Sequence, residues 1–150
     1  MSGDFLQGAS SCCELDAVRV VAQENRAKYL GINGQRQTVR LFHVDGDIIP
    51  QQDKDTVRCD YLLLNDDLKE AYFIELKAAK VKHALEQVNH TVEMARGALP
   101  GYEVYKRIVF NGAIGVAKAD MLRQRIREGR SKAGREHFLY KRALMQENIN

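Results

Sequence analysis

Two apolar runs decide the fold: Val57–Leu64, with the sequence VRCDYLLL, and Ala71–Lys77, with the sequence AYFIELK. The polar residues NDDLKE separate them. Aliphatic, aromatic and β-branched residues on both sides of such a break favour two strands joined by a turn. Because side chains alternate between the faces of a strand, Glu75 and Lys77 lie on one face of the second strand.

The register of this hairpin brings two carboxylates together. If Leu64 pairs with Ala71, antiparallel pairing places Asp60 opposite Glu75, where like charges are unfavourable. A hard divalent cation neutralises such a pair, because Mg²⁺ takes one or two carboxylates and completes its shell with water and phosphate oxygens. Lys77 would then contact the attacking water or the phosphate charge that grows in the transition state. These three residues therefore predict a centre for metal-assisted phosphodiester hydrolysis.

The order of these residues resembles the PD-(D/E)xK nuclease superfamily: Asp60, then fourteen residues, then Glu75-Leu76-Lys77. The resemblance implies that Asp60 and Glu75 hold Mg²⁺ or Mn²⁺ and that Lys77 is the catalytic lysine. One departure is Cys59, which precedes Asp60 where the family's name has proline. The implied fold is an α/β (α+β) restriction-endonuclease-like αβββαβ core over about residues 11–117, with a mixed central sheet flanked by helices.

The same resemblance extends to the helix that follows the second strand. Apolar residues recur there at spacings of three and four, which predicts a helix over residues 78–98. In several branches of the superfamily a glutamine in this helix lies near the active site, and Gln87 has a suitable spacing. The RecB-like signature Gln-x-x-x-Tyr ends here in Thr91, so that particular branch is not indicated.

The elements on either side of the hairpin complete the expected core. Ser10 or Ser11 would begin a helix that runs through Tyr29 and ends at Gly31. In the superfamily this helix often supplies a further acidic residue near the metal, and the spacing does not choose between Glu14 and Glu24. The remaining expected elements are a strand from residue 38 to 44, a turn at Asp45-Gly46-Asp47, and a last core strand within residues 105–116.

The last part of the chain is basic. Residues 118–142 carry nine Lys or Arg against three acidic residues. Their apolar residues predict C-terminal basic helices, an extension over about residues 118–150. The loop Gly129–Arg135 is basic and contains glycine, so it would suit phosphate oxygens, although solvated surface charge is the alternative.

The composition bounds the class of protein. The chain has 150 residues, of which 45% are hydrophobic and 29% charged, with a net charge of +3. These values predict a single domain over residues 1–150. No run approaches the ~20 apolar residues that span a bilayer, and Asp4 lies where a signal peptide would be basic, so we expect a cytoplasmic protein without membrane contact. Three cysteines without C-x-x-C spacing favour reduced, mostly buried thiols over a zinc site.

Three functions remain in competition. The first is a Mg²⁺-dependent nuclease that acts on nucleic acid, on DNA rather than RNA. Small nucleases of this type often act as homodimers, so a homodimer is one expected assembly. The second is a non-catalytic protein with the same fold that acts as a nucleic-acid or protein interaction module. The third is an unrelated α/β protein in which Glu75 and Lys77 are ordinary charges at a strand end.

Overall fold

The computed structural model describes residues 5–24, 26–76, 81–112 and 129–150, together with the backbone but not the side chain of Val81. Eight strands and one α-helix make up this part of the chain. In chain order they are β1 Arg19–Glu24, β2 Ala27–Ile32, β3 Val39–His43, β4 Tyr61–Asn65, β5 Glu70–Glu75, α1 Val81–Ala95, β6 Glu103–Phe110, β7 Phe138–Arg142 and β8 Leu144–Asn148.

The strands form two mixed sheets. The larger sheet has the order β3-β4-β5-β6-β7, in which β3, β4 and β5 are antiparallel and β6 and β7 run parallel to β5. The smaller sheet has the order β1-β2-β8, with β1 antiparallel and β8 parallel to β2. The fold class is therefore mixed α/β, as the sequence predicts.

These elements stack in three layers with the larger sheet in the middle. One face of that sheet packs against α1, through Leu62, Phe73 and Val88. The other face packs against the smaller sheet, through residues such as Tyr29 and Tyr72. Both faces of the central sheet are therefore covered, which explains why every residue of β5 is buried.

The central hairpin has the predicted register. Leu64 pairs with Ala71, and the ladder continues to Tyr61 opposite Ile74. The polar turn between the strands includes Lys69, which has a positive φ of 55°. The pairing that the sequence suggested is therefore the one that the chain forms.

The predicted helix is also present, as α1 followed by a short 3₁₀ turn over Arg96–Ala98. The apolar positions whose side chains are described are buried as predicted: Ala84, Leu85, Val88, Val92 and Ala95. The strand expected after it is β6, and the strand expected before the hairpin is β3. Among the described residues, no helix is long and apolar enough to cross a membrane.

The helix predicted from Ser10 to Tyr29 is wrong, because this segment contains the β1–β2 hairpin. Burial along β1 alternates, with Val20 and Ala22 inside and their neighbours exposed or partly exposed. A β-branched, alternating segment is stable as a strand once a partner pairs with it, and local helix signals do not override that pairing. Ser11 still accepts backbone N–H groups, but those of Leu41 and Cys13 rather than a helix terminus.

The predicted C-terminal basic helices are wrong over residues 138–148. Residues 113–128 lie outside the described residues, and the chain then forms β7 and β8. Between these strands Ala143 has a φ of 64°, a left-handed conformation that a helix does not contain. β7 completes the larger sheet and β8 the smaller one, so this end of the chain is part of both sheets rather than an extension.

Candidate functional site

Asp60 lies at the end of the central hairpin, directly beside Glu75. Its backbone N–H donates to the carbonyl of Ile74 at 3.1 Å, and its Oδ2 accepts the N–H of Leu76 at 2.7 Å. The two partners, Ile74 and Leu76, are the residues directly before and after Glu75. Asp60 and Glu75 are each only 3% exposed. The predicted pair of carboxylates is therefore brought together, although Asp60 lies just beyond the last paired residues of the ladder.

A third carboxylate joins this pair from the smaller sheet. Glu24, the last residue of β1, is close enough to Asp60 for a side-chain hydrogen bond, and Glu75 contacts Asp60 in the same way. His43, at the end of β3, places its Nε2 3.5 Å from a carboxylate oxygen of Glu24 and stacks on Tyr61 with ring centroids 4.7 Å apart. We refer to Glu24, Asp60 and Glu75 as the carboxylate cluster.

Of the two acidic candidates near the N-terminus, Glu24 is the one that the fold brings to the site. Glu14 is exposed and lies before β1. The resemblance predicts that the further acidic residue lies on a helix, whereas Glu24 lies at the end of strand β1. His43 was missed, because nothing in the local sequence around β3 indicates that its end meets the end of β1.

Burial and neighbouring charge raise the pKa of Asp60 to about 7. Removal from water is the larger cause, and the negative charge of Glu24 acts in the same direction. The backbone N–H of Leu76 opposes both effects, because it stabilises the ionised carboxylate. Near neutral pH the carboxylate cluster therefore holds a proton that an exposed aspartate would have lost.

This shift predicts a pH dependence of stability. Asp60 binds a proton more tightly in the folded chain than in the unfolded chain. Its stabilising contribution is thus fully present below about pH 4 and is lost as the pH rises through 7. In EDTA, the free energy of unfolding of Asp60→Asn should equal that of the wild type near pH 4. At pH 8 it should exceed the wild-type value by a few kcal/mol. Urea unfolding at both pH values measures this, and a difference that is the same at both would contradict the assignment.

The carboxylate cluster fits a hard divalent cation in its donor chemistry. All three side chains offer oxygen ligands, and their mutual repulsion favours either a shared proton or a positive charge. Within the described ranges, no group of three or more His, Cys, Asp or Glu side chains has the arrangement of a metal site. The carboxylates instead contact one another, so metal binding would replace the shared proton and would strengthen as the pH rises.

Two further residues were predicted for the site, Lys77 and Gln87. Lys77 lies outside the described residues, and it directly follows Leu76, whose N–H holds Asp60. Gln87 lies on α1, where it lines a cavity of about 430 Å³ together with Arg58 and His83. Its backbone carbonyl accepts the hydroxyl of Thr91, which in turn accepts the N–H of Cys59 at 2.8 Å. Gln87 thus belongs to the turn of helix that anchors the residue before Asp60.

Asp45, in the predicted turn at Asp45-Gly46-Asp47, has a partner away from the carboxylate cluster. It forms an ion pair with Arg58 at 3.0 Å, and Gly46 has a φ of 120°, which favours glycine. The chain turns here as predicted, but through a π-helical turn over Val44–Ile48 rather than a hairpin turn. All three cysteines are free thiols, but only Cys59 is buried.

Comparison with known proteins gave no match: no family model, no curated protein and no solved structure is similar to this chain.

Proposed function

We propose that this chain is a metal-dependent nuclease that hydrolyses phosphodiester bonds, with DNA as its substrate. The observation that carries the proposal is the convergence of Glu24 on the buried Asp60–Glu75 pair, at the point where the central hairpin leads toward α1. Two aligned carboxylates were expected from the register alone. A third from a different sheet is not required by the hairpin, and it concentrates negative charge where a cation would be stabilised.

The order of elements supports the same reading. From β3 to β6 the chain runs βββαβ, as the resemblance to the PD-(D/E)xK superfamily leads one to expect. The expected first helix is replaced by β1 and β2. Glu24 interacts with Asp60, so the further acidic residue that the resemblance implies near the metal would come from a strand instead.

Each residue has a distinct part in the proposed mechanism. Asp60, Glu75 and Glu24 would hold Mg²⁺ or Mn²⁺, which polarises the scissile phosphate and lowers the pKa of a bound water. The N–H of Leu76 fixes the carboxylate of Asp60, so this ligand does not have to be reoriented during the reaction. Lys77 would stabilise the negative charge that develops on the phosphate. His43 would orient Glu24 through their contact.

The role of Glu24 gives a test with a matched control. Glu24→Gln keeps the shape of the side chain and removes its charge, so cleavage should fall about tenfold or more. Glu14→Gln makes the same chemical change at an exposed position and should leave cleavage unchanged. The assay uses a supercoiled plasmid and a single-stranded oligonucleotide, each with Mg²⁺, Mn²⁺ or EDTA.

The outcomes separate the competing functions. Cleavage that depends on the metal and on Glu24 supports the nuclease. Mn²⁺ binding without turnover on either substrate favours the interaction module, and equal activity of the Glu24 and Glu14 variants removes Glu24 from the site.

A further inference from the structure

A second cavity, with a volume of about 410 Å³, lies at the start of β5. Glu70 begins β5 and Glu75 ends it, so at about 3.3 Å per residue roughly 17 Å separate this cavity from the carboxylate cluster. Its lining includes Leu68, Lys69, Glu70, Glu103, Ser131 and Lys132.

The two carboxylates of this cavity already have partners. Glu70 is 5% exposed and accepts the hydroxyls of Tyr72 and Tyr105, each at 3.1 Å. Arg135 donates through Nη2 to both of its oxygens at 3.3 Å. At the mouth of the cavity, Glu103 contacts Nε2 of His137 at 2.8 Å. Both carboxylates therefore have side-chain partners, and the guanidinium of Arg135 offsets the charge of Glu70.

The two lysines of the cavity do not have such partners. Among the described residues, neither Lys69 nor Lys132 makes an ion pair with a carboxylate. Asp66 exerts an electrostatic pull on Lys69, but Arg40 bonds that carboxylate at 2.7 Å. The ammonium of Lys69 lies 5.2 Å from the ring centroid of Tyr102.

The loop that carries Lys132 is ordered by its own hydrogen bonds. Ser131 donates its N–H to the carbonyl of Arg135 at 2.9 Å, and Gly134, with a φ of 80°, donates to the carbonyl of Ser131 at 2.9 Å. Arg135 has a buried Nε without a hydrogen-bond acceptor among the described residues. This is the basic loop whose sequence suits phosphate, and it lies over the start of β5 and β6.

We propose that this cavity binds a phosphate group, held by Lys69 and Lys132 with the hydroxyl of Ser131. Ammonium groups act as point charges toward phosphate, and a hydroxyl adds a directed hydrogen bond. Leu68, which is 43% exposed, gives the rim an apolar surface on which the sugar or base of a nucleotide would pack. The ligand is thus a phosphate ester of nucleotide size. The site uses no metal and none of the carboxylate cluster, so it stands independently of the proposed nuclease.

The test compares two double variants with the same net charge. Lys69→Gln/Lys132→Gln removes the two ammonium groups, and Lys82→Gln/Lys141→Gln removes two exposed lysines elsewhere. The ligands are inorganic phosphate, a nucleoside monophosphate and a single-stranded oligonucleotide, each titrated in EDTA by calorimetry and by amide chemical shifts. We expect binding that shifts the amides of residues 68–70 and 131–133 and weakens at least about tenfold in the first variant only.

The ligand with the highest affinity identifies the source of the phosphate, either a free nucleotide or a polynucleotide backbone. The proposal is overturned if the wild type binds none of the three ligands, or if both double variants lose affinity equally. The use of EDTA separates this result from the nuclease, because activity at the carboxylate cluster requires metal.

Discussion

Glu75→Gln should lower the rate of phosphodiester cleavage by about a hundredfold or more, and it should leave the affinity for nucleic acid nearly unchanged. Glu75 is buried at the end of β5 and contacts Asp60, so in the proposed mechanism its charge would act on the cation and the reacting phosphate rather than on distant parts of the substrate. The glutamine keeps the volume of the side chain, and loss of packing therefore does not account for the effect. Single-turnover cleavage and a binding titration in Ca²⁺ measure the two quantities separately.

The control for this experiment is Glu86→Gln, which changes an exposed glutamate on α1 in the same way. It should cleave at the wild-type rate. A Glu75→Gln variant that melts at the wild-type temperature and cuts as fast as the control would remove Glu75 from the mechanism.

The largest expected effect on stability is at the ion pair that joins the two sheets. Arg107 on β6 is fully buried, and it bonds Glu147 on β8 at 2.7 and 3.2 Å. The hydroxyl of Tyr29 on β2 donates to the same carboxylate at 2.6 Å. Glu147→Ala would leave a guanidinium buried without its counter-charge, and the free energy of unfolding should fall by about 3–5 kcal/mol.

A partly exposed ion pair is the control for that loss. Glu136 contacts Arg130, whose side chain is 65% exposed, at 3.0 Å. Glu136→Ala should therefore cost less than about 1 kcal/mol in the same urea titration. If the two variants lose equal stability, the buried pair does not hold the sheets together as described.

The sequence predicts correctly those parts of the fold in which the local pattern of apolar residues leads to the same structure as the packing of neighbouring elements. The central hairpin joins neighbouring segments through a short polar turn, and this closeness in the sequence favours their pairing. Helix α1 has an apolar stripe at helical spacing, and that stripe meets the sheet. For the hairpin, the partner strand is close in the sequence. For α1, the spacing of the apolar residues fits only a helix.

Only one of the two failed predictions concerns a segment whose partner is distant in the sequence. The predicted helix over residues 10–29 failed at a local hairpin, β1–β2, whereas the C-terminal segment pairs with a distant strand. β8 pairs in parallel with β2, and Tyr29 opposite Met145 is a contact between opposite parts of the chain. No local signal indicates such a pairing. Both helices were predicted from short groups of apolar residues that include Leu15 and Leu144, and both of these leucines are exposed.

In the candidate site, too, the residues of the central hairpin were predicted and the residues that distant packing brings in were not. Asp60 and Glu75 follow from the register of one hairpin. Glu24 was one of two open choices, because only the packing of the smaller sheet on the larger one brings the end of β1 to Asp60. Glu70 and Arg135 were not predicted as partners at all, since 65 residues separate them and neither lies in a recognisable motif.

The proposed metal site at the carboxylate cluster can be probed without any substrate, by calorimetric titration of Mn²⁺ at pH 8. We expect the wild type and Glu14→Gln to bind Mn²⁺ and Glu75→Gln and Asp60→Asn not to bind it. Wild-type affinity should fall at pH 6 as protons compete for Asp60. If the wild type binds no Mn²⁺, or the cluster variants bind it as tightly as the wild type, the carboxylate cluster is not a metal site.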